Sequence, residues 1–67
     1  MPIIQVNMLV GRTVDQKRKL VSGITNAVTE SLGVQAESVR VMIHELSKDD
    51  YAIGGKTATD RGMTVPK

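Results

Sequence analysis

A long helical pattern lies between two strand-like runs, and this order constrains the fold more than any other feature of the sequence. Thr13 is a good N-cap, and Gln16, three residues later, completes a capping box. Gly33 provides a natural stop. We therefore predict a helix over about residues 14–32. Its apolar positions, which recur at helical spacing, are Leu20, Val21, Ile24, Ala27, Val28 and Leu32.

The runs on either side of the helical segment are rich in β-branched residues and predict strands over residues 2–10 and 39–46. Two strands joined through a helix by short connections form a βαβ unit with parallel strands. The helix covers one face of the sheet, and the face that carries Arg40 is left uncovered and needs a partner. The covered face is predicted to be fully buried and holds Ile4, Val6, Met8, Val10, Val39, Val41 and Ile43; the other holds Ile3, Gln5, Asn7, Leu9, Arg40, Met42 and His44.

The C-terminal third is predicted to form a polar turn and a small hairpin. Residues 47–50 are polar, and Tyr51 leads into Gly54 and Gly55, which mark a tight turn. Residues 56–60 are expected to form a short hairpin arm, and residues 61–67 a tail from which Met63 and Val65 dock on a neighbour. The predicted fold class is thus α/β: a small βαβ unit with a C-terminal hairpin, in a single domain over residues 1–67.

The small size of the chain predicts that it assembles with copies of itself. A chain of 67 residues buries little surface and needs disulfides, a metal or oligomerisation. It has no cysteine, and His44 is its only histidine. A disulfide is therefore excluded and a structural zinc site is implausible. Surplus apolar surface is expected to form subunit contacts that complete the sheet.

Charge and hydropathy exclude several classes of partner. The net charge is only +2 and the signs are interspersed, so the sequence lacks the basic patch of a nucleic-acid binder. No segment approaches the ~20 apolar residues of a membrane span. The N-terminal apolar run lacks the basic region and cleavage site of a signal peptide. We expect no nucleic acid, no membrane and a cytoplasmic location.

Pro2 is the first residue with distinctive chemistry. If Met1 is removed, Pro2 carries a free secondary amine, and an unperturbed α-amino group titrates near ~8. With Met1 attached, the same nitrogen is an amide and cannot act as a base. Met-Pro starts are common, and most serve no chemistry, so Pro2 by itself favours a structural interpretation.

Arg12 follows the first predicted strand, and Arg40 lies near the start of the second. A strand of eight residues spans about 26 Å, so Pro2 approaches Arg40 of its own chain more readily than Arg12, which needs a second chain to reach the same pocket. Both arginines can also be solvated surface charges. Arg40, however, interrupts an apolar run where an apolar side chain would serve stability better.

Two arginine forks with an amine between them suit a small dicarboxylate. These cations, together with an apolar wall from Ile3, Leu9 and Tyr51, would lower the pKa of the amine. A neutral amine is a general base that needs neither metal nor cofactor.

Other function classes have weaker support. There is no cysteine nucleophile and no Ser-His-Asp set, and residues 53–57 lack the spacing of a phosphate-binding loop. His44 is most simply a strand residue at a subunit contact, and Asp49 and Asp50 are turn formers, although a carboxylate there can activate water. A ribbon-helix DNA-binding module remains an alternative. It requires a second long helix and DNA affinity that falls steeply with salt.

The segments PIIQVNMLVGR, TVDQK, SVRVMIHEL and YAIGGK together resemble the 4-oxalocrotonate tautomerase family, over nearly all of the chain up to about Lys56. The resemblance implies a βαβ protomer with a C-terminal hairpin, usually in a hexamer. It also implies an isomerase that uses the N-terminal proline as general base, as in the conversion of 2-hydroxymuconate to 2-oxo-3-hexenedioate during aromatic hydrocarbon catabolism.

The resemblance also implies roles for individual residues. Pro2 would move the proton between the 2-hydroxyl side and C5, Arg40 from neighbouring chains would hold the 2-oxo and C1 carboxylate end, and Arg12 would hold the distal C6 carboxylate. The family usually has a phenylalanine where this chain has Tyr51, whose hydroxyl bears on substrate preference. Relatives that share the fold hydrate or dehalogenate unsaturated acids with a carboxylate that activates water, and no acid lies between Tyr51 and Lys56 for that role.

Overall fold

One helix packs against a two-stranded parallel sheet in this computed structural model, which describes residues 1–64. Strands β1 (Ile3–Leu9) and β2 (Arg40–Leu46) form the sheet, and strands β3 (Ala52–Ile53) and β4 (Lys56–Thr57) form a separate antiparallel hairpin. The predicted βαβ unit with a C-terminal hairpin is therefore confirmed. The elements in chain order are β1 (Ile3–Leu9), α1 (Val14–Leu32), β2 (Arg40–Leu46), β3 (Ala52–Ile53) and β4 (Lys56–Thr57), with short 3₁₀ turns at Ala36–Ser38 and Lys48–Asp50.

Helix α1 begins and ends at the residues that its caps predict. The Gln16 backbone N–H donates to Thr13 Oγ1 at 3.1 Å, and the Thr13 N–H donates to Gln16 Oε1 at 2.9 Å. At the other end Gly33 adopts φ 68°, and its N–H donates to the Thr29 carbonyl at 2.9 Å. A salt bridge from Lys17 to Glu45 ties the first turns of α1 to β2. None of the helices within residues 1–64 has the length and apolar character needed to cross a membrane.

The register of the sheet pairs Ile3 with Arg40 at one end and Leu9 with Leu46 at the other. Both strands are slightly shorter than predicted. Pro2 has no N–H to donate, although its carbonyl still accepts from the Arg40 N–H at 3.0 Å. Val10 was expected on the covered face and is instead exposed. Its N–H still donates to the Leu46 carbonyl at 2.9 Å, but the chain bends there and turns at Gly11 with φ 123°.

The two faces of the sheet differ as predicted. The even positions of β1 lie half-buried beneath α1, whereas the opposite face is exposed, with Ile3 at 59% and Met42 at 52%. The expectation that the covered face is fully buried is wrong for a single copy. Ala58 is the one fully buried side chain among the described residues. One helix on two strands gives a layer too thin to enclose a core, and the molecule measures only 14 Å along its shortest axis.

The hairpin turns at Gly54 and Gly55, whose φ angles of 61° and 85° are those of a two-residue turn that glycine favours. Strand β4 ends at Thr57, so the arm predicted over residues 56–60 is shorter than expected and continues as turns.

The segment after the hairpin folds back against Tyr51. The Ala58 N–H donates to the Tyr51 carbonyl at 2.7 Å, and the Met63 N–H donates to the Ala58 carbonyl at 3.0 Å. Met63 is half-buried at the Tyr51 side of the molecule. Its predicted docking on a neighbour stays a prediction, and Val65 lies outside the described residues.

Candidate active site

Pro2, Ile3 and Arg40 lie together at one end of the sheet. Pro2 is half-buried immediately before β1, and the hydrogen bond from the Arg40 backbone to its carbonyl fixes the two residues side by side. Ile3 is the register partner of Arg40 on the uncovered face. The predicted approach of Pro2 to Arg40 within one chain is thus observed for the backbone.

The Arg40 guanidinium is exposed and donates from one terminal nitrogen to the Glu37 carbonyl. Among the described residues no carboxylate forms a salt bridge with Arg40. Its remaining N–H groups are therefore accessible to an anion that approaches the uncovered face.

Leu9 and Tyr51 lie together at the opposite end of the sheet. They border a cavity of about 260 Å³ in which Tyr51 is 39% exposed. Its other walls are Asn7, Met8, Leu46 and Met63. These four were not predicted as site residues. Asn7 could have been predicted, because it is two positions from Leu9 on the same strand face. Leu46 reaches the cavity only through the register of the sheet, and Met63 only through the turns after β4.

Arg12 is half-buried at the same end as Leu9, on the helix side of the sheet. It lines a second cavity of about 220 Å³ between β1 and α1. Met8 borders both this cavity and the one beside Tyr51, so the two cavities are neighbours. The other residues that line the cavity are Gln16, Lys17 and Leu20.

A single copy of the chain does not bring all six predicted residues into one pocket. Strand β1 has seven residues and spans about 23 Å, which separates Pro2 from Arg12. The predicted site is therefore divided between two ends of the sheet. Pro2, Ile3 and Arg40 lie at the amine end, named for the amine predicted at Pro2, and Leu9, Arg12 and Tyr51 lie at the apolar end.

The carboxylates near the hairpin are held by local hydrogen bonds. Asp50 accepts from the Ser47 hydroxyl at 2.8 Å, and Asp49 accepts from the Thr59 hydroxyl at 2.6 Å. Both acids thus act as turn formers. Within residues 1–64 no group of three or more His, Asp or Glu side chains is arranged to hold a metal ion.

The fold, and the division of the predicted site between the two ends of the sheet, define a class of small βαβ proteins. This class has a proline at one end of the sheet and an arginine at each end. The family model described as tautomerase enzyme matches residues 2–61. The chain belongs to the tautomerase family, a family of isomerases, as the sequence motifs predicted.

Three relatives illustrate the similarity. The 2-hydroxymuconate tautomerase of Bacillus subtilis is 48% identical over 60 residues, which cover 90% of this chain and 97% of that protein. A 4-oxalocrotonate tautomerase isozyme structure from Methylibium petroleiphilum is 48% identical, with a TM-score of 0.87 over 91% of this chain and 95% of that one. The heterohexamer 4-oxalocrotonate tautomerase of Chloroflexus aurantiacus is 27% identical, with a TM-score of 0.84 over 90% and 97%.

The ribbon-helix alternative is not supported. The segment after α1 leads into strand β2, parallel to β1, and among the described residues the one helical segment after β2 is the 3₁₀ turn Lys48–Asp50. A second long helix, which that class requires, is therefore absent from residues 1–64.

Proposed function

We propose that this protein is a cofactor-free tautomerase that uses Pro2, after removal of Met1, as general base. Its substrate class is a small unsaturated dicarboxylate with a 2-hydroxy or 2-oxo group, as in the conversion of 2-hydroxymuconate to 2-oxo-3-hexenedioate. The Bacillus subtilis relative carries the name of that activity, which supports this substrate class.

The observation that carries the proposal is the division of the site between the two ends of one sheet. The uncovered face exposes Ile3 and Met42, which a second copy can bury. If two copies pack these faces together with their strands reversed, the amine end of one meets the apolar end of the other. A two-fold axis creates two such sites at once.

The dimensions of the chain support this assembly. Its radius of gyration is 14.8 Å, against about 11 Å for a compact domain of this length. The cavities beside Tyr51 and Arg12, of about 260 and 220 Å³, are each smaller than a typical ligand pocket of ~300–1,000 Å³. A site completed by a second copy explains both facts. We propose a homo-oligomer, most simply a hexamer, and the heterohexamer among the relatives supports that count.

The proposed reaction moves one proton and needs no other reactant. The neutral Pro2 amine removes the proton from the 2-hydroxyl, the C2–O bond becomes a carbonyl, and the C2=C3 double bond shifts to C3=C4. The electron pair of C4=C5 then takes the same proton from Pro2 at C5. The first transfer leaves Pro2 protonated, and the second returns it to the neutral amine for the next turnover.

The arginines would bind the two ends of the substrate. Arg40 would hold the C1 carboxylate and the 2-oxygen, where negative charge develops as the hydroxyl loses its proton. Arg12 would hold the C6 carboxylate. The apolar wall of Ile3, Leu9 and Tyr51 would exclude water and favour the uncharged amine.

A hydratase or dehalogenase of unsaturated acids is the second candidate. It requires a carboxylate that activates water, and the local hydrogen bonds of Asp49 and Asp50 weigh against that role. A cytoplasmic location stays a prediction from the sequence.

The decisive experiment compares the wild-type protein with Pro2→Ala by following the absorbance of a 2-hydroxydienoate as it ketonises. Intact mass first establishes whether Met1 has been removed from each protein. We expect Pro2→Ala to lose at least about 100-fold in kcat, the scale of general base catalysis, with the assembly unchanged by light scattering. Activity of Pro2→Ala close to that of the wild type would contradict the proposal.

A further inference from the structure

Arg61 binds back to the hairpin through two hydrogen bonds that converge on one carbonyl oxygen. Its Nε and Nη2 groups both donate to the Ile53 carbonyl, at 3.1 and 2.9 Å. The side chain is exposed, and within the described residues it has no salt bridge to a carboxylate. The guanidinium is thus engaged with a backbone carbonyl of β3.

The hairpin needs such support because its strands are very short. Strands β3 and β4 have two residues each, and an isolated two-stranded hairpin is marginally stable. Arg61 follows β4 in a turn that its own N–H closes on the Thr57 carbonyl at 3.0 Å. Its side chain then crosses the hairpin to Ile53 on β3, joining the end of the hairpin to its first strand.

A glycine allows this close approach. A Cβ atom added at Gly54 would lie 3.3 Å from Arg61 Nη2, which is tighter than an ordinary contact. Glycine at position 54 therefore allows the positive φ of the turn and also leaves room for the Arg61 guanidinium.

Tyr51 is joined to the same turn through the backbone. Tyr51 lies two residues before Ile53, and its carbonyl accepts the Ala58 N–H in the segment that leads to Arg61. Met63, two residues past Arg61, donates its N–H to the Ala58 carbonyl and borders the cavity with Tyr51. Two walls of the apolar end, Tyr51 and Met63, thus flank the turn that Arg61 closes on Ile53.

We propose that Arg61 is a positioning residue that holds Tyr51 in the wall of the apolar end. Its effect on catalysis rests on the function proposed above, whereas its effect on Tyr51 does not. Arg61 acts through the Ile53 carbonyl, so the paired N–H groups matter and the charge alone does not suffice.

The first test uses Tyr51 as its own reporter, because the chain has one tyrosine and neither tryptophan nor phenylalanine. We would record near-ultraviolet circular dichroism of the full chain for the wild type, Arg61→Ala and Arg61→Lys. Arg18→Ala is the matched control, since Arg18 pairs with Asp15 at the exposed start of α1. Far-ultraviolet spectra establish that each variant is folded.

We expect Arg61→Ala to lose most of the tyrosine signal, Arg61→Lys to be intermediate and Arg18→Ala to match the wild type. If Arg61→Ala fails to fold, the comparison of Arg61→Lys with the wild type serves the same purpose. A tyrosine signal unchanged in Arg61→Ala would overturn the proposal, and a wild-type signal in Arg61→Lys would overturn the role of the paired donors.

The second test is kinetic and separates positioning from direct substrate binding. We expect Arg61→Ala to raise KM about three- to tenfold, the scale of one or two hydrogen bonds, with little change in kcat. The increase should be equal for monocarboxylate and dicarboxylate enols. A loss confined to dicarboxylates would mean that Arg61 binds a carboxylate itself and would overturn the proposal. If the wild type has no tautomerase activity, the proposed function fails and the dichroism still decides the role of Arg61.

Discussion

Mixing two impaired variants should restore activity at substrate concentrations well below KM if each site takes Pro2 and Arg12 from different copies of the chain. The variants are Pro2→Ala, which lacks the base, and Arg12→Ala, which lacks the distal cation. A six-carbon diacid is no longer than about 8 Å, whereas the two residues lie at opposite ends of a strand that spans about 23 Å. One chain therefore cannot supply both groups to one substrate.

The geometry fixes the size of the rescue. In an equal, random mixture, half of the chains carry an intact Pro2 and the other half carry an intact Arg12. A site that draws these residues from two chains has both intact in about one quarter of cases. We thus expect about 25% of the wild-type activity per subunit, well above either variant alone.

The assay is the ketonisation rate of a dicarboxylate enol measured on coexpressed chains with two different affinity tags. Purification over both tags isolates the mixed assemblies, and native mass spectrometry gives their composition. The matched control pairs Pro2→Ala with a chain that carries both substitutions. No site in that mixture has an intact Pro2, so its activity should not exceed that of Pro2→Ala alone.

A mixed assembly of proven composition that shows no rescue would refute the reasoning. Pro2 and Arg12 of one site would then come from the same chain, or Arg12 would have no part in the site. The kinetics of Arg12→Ala alone distinguish these two explanations. If Arg12 has no part in the site, this variant keeps wild-type kinetics.

Three further outcomes are expected. A preparation that retains Met1, verified by intact mass, should be as inactive as Pro2→Ala, because the nitrogen of Pro2 is then an amide. Arg12→Ala should raise KM for a dicarboxylate by about 10- to 100-fold, the scale of a lost charged hydrogen bond, and matter less for a monocarboxylate; an equal effect on both would contradict its assigned role. Thr13→Ala should lower the free energy of unfolding by about 1 kcal/mol in urea titrations, with Thr13→Ser close to the wild type; an unchanged midpoint would mean that its bond to Gln16 contributes nothing.

The helix was predictable from the sequence to the residue because its boundaries are set locally. Thr13 and Gln16 satisfy each other's backbone N–H groups within four positions, and Gly33 supplies the positive φ that ends the helix. None of these interactions depends on the rest of the chain. The strand ends were less predictable, since Val10 leaves the sheet at a point set by Gly11 and by the length of the partner strand.

Site residues were predictable where the alternation of side chains along a strand places them on one face. They were not predictable where they meet through contacts between residues distant in sequence. Ile3, Leu9 and Arg40 follow from the period of their strands. Leu46 enters the cavity because the register sets it beside Leu9, and no local pattern states that register. Arg61 reaches the Ile53 carbonyl across eight positions and a turn that two glycines make possible, so its role was visible only in the structure.

The division of the site links assembly to catalysis under the proposed function. One copy leaves Ile3 and Met42 exposed beside the amine end, and the residues that would complete that end lie on another copy. The apolar contact that stabilises the assembly would then also bring Arg12 and Tyr51 to Pro2. A substitution on the uncovered face at a residue with no assigned chemical role, such as Met42→Lys, would remove activity by preventing the site from forming, and the loss would track dissociation of the assembly. A chain of this length has little room for a core and a pocket separately, and a shared face allows the same surface to serve both.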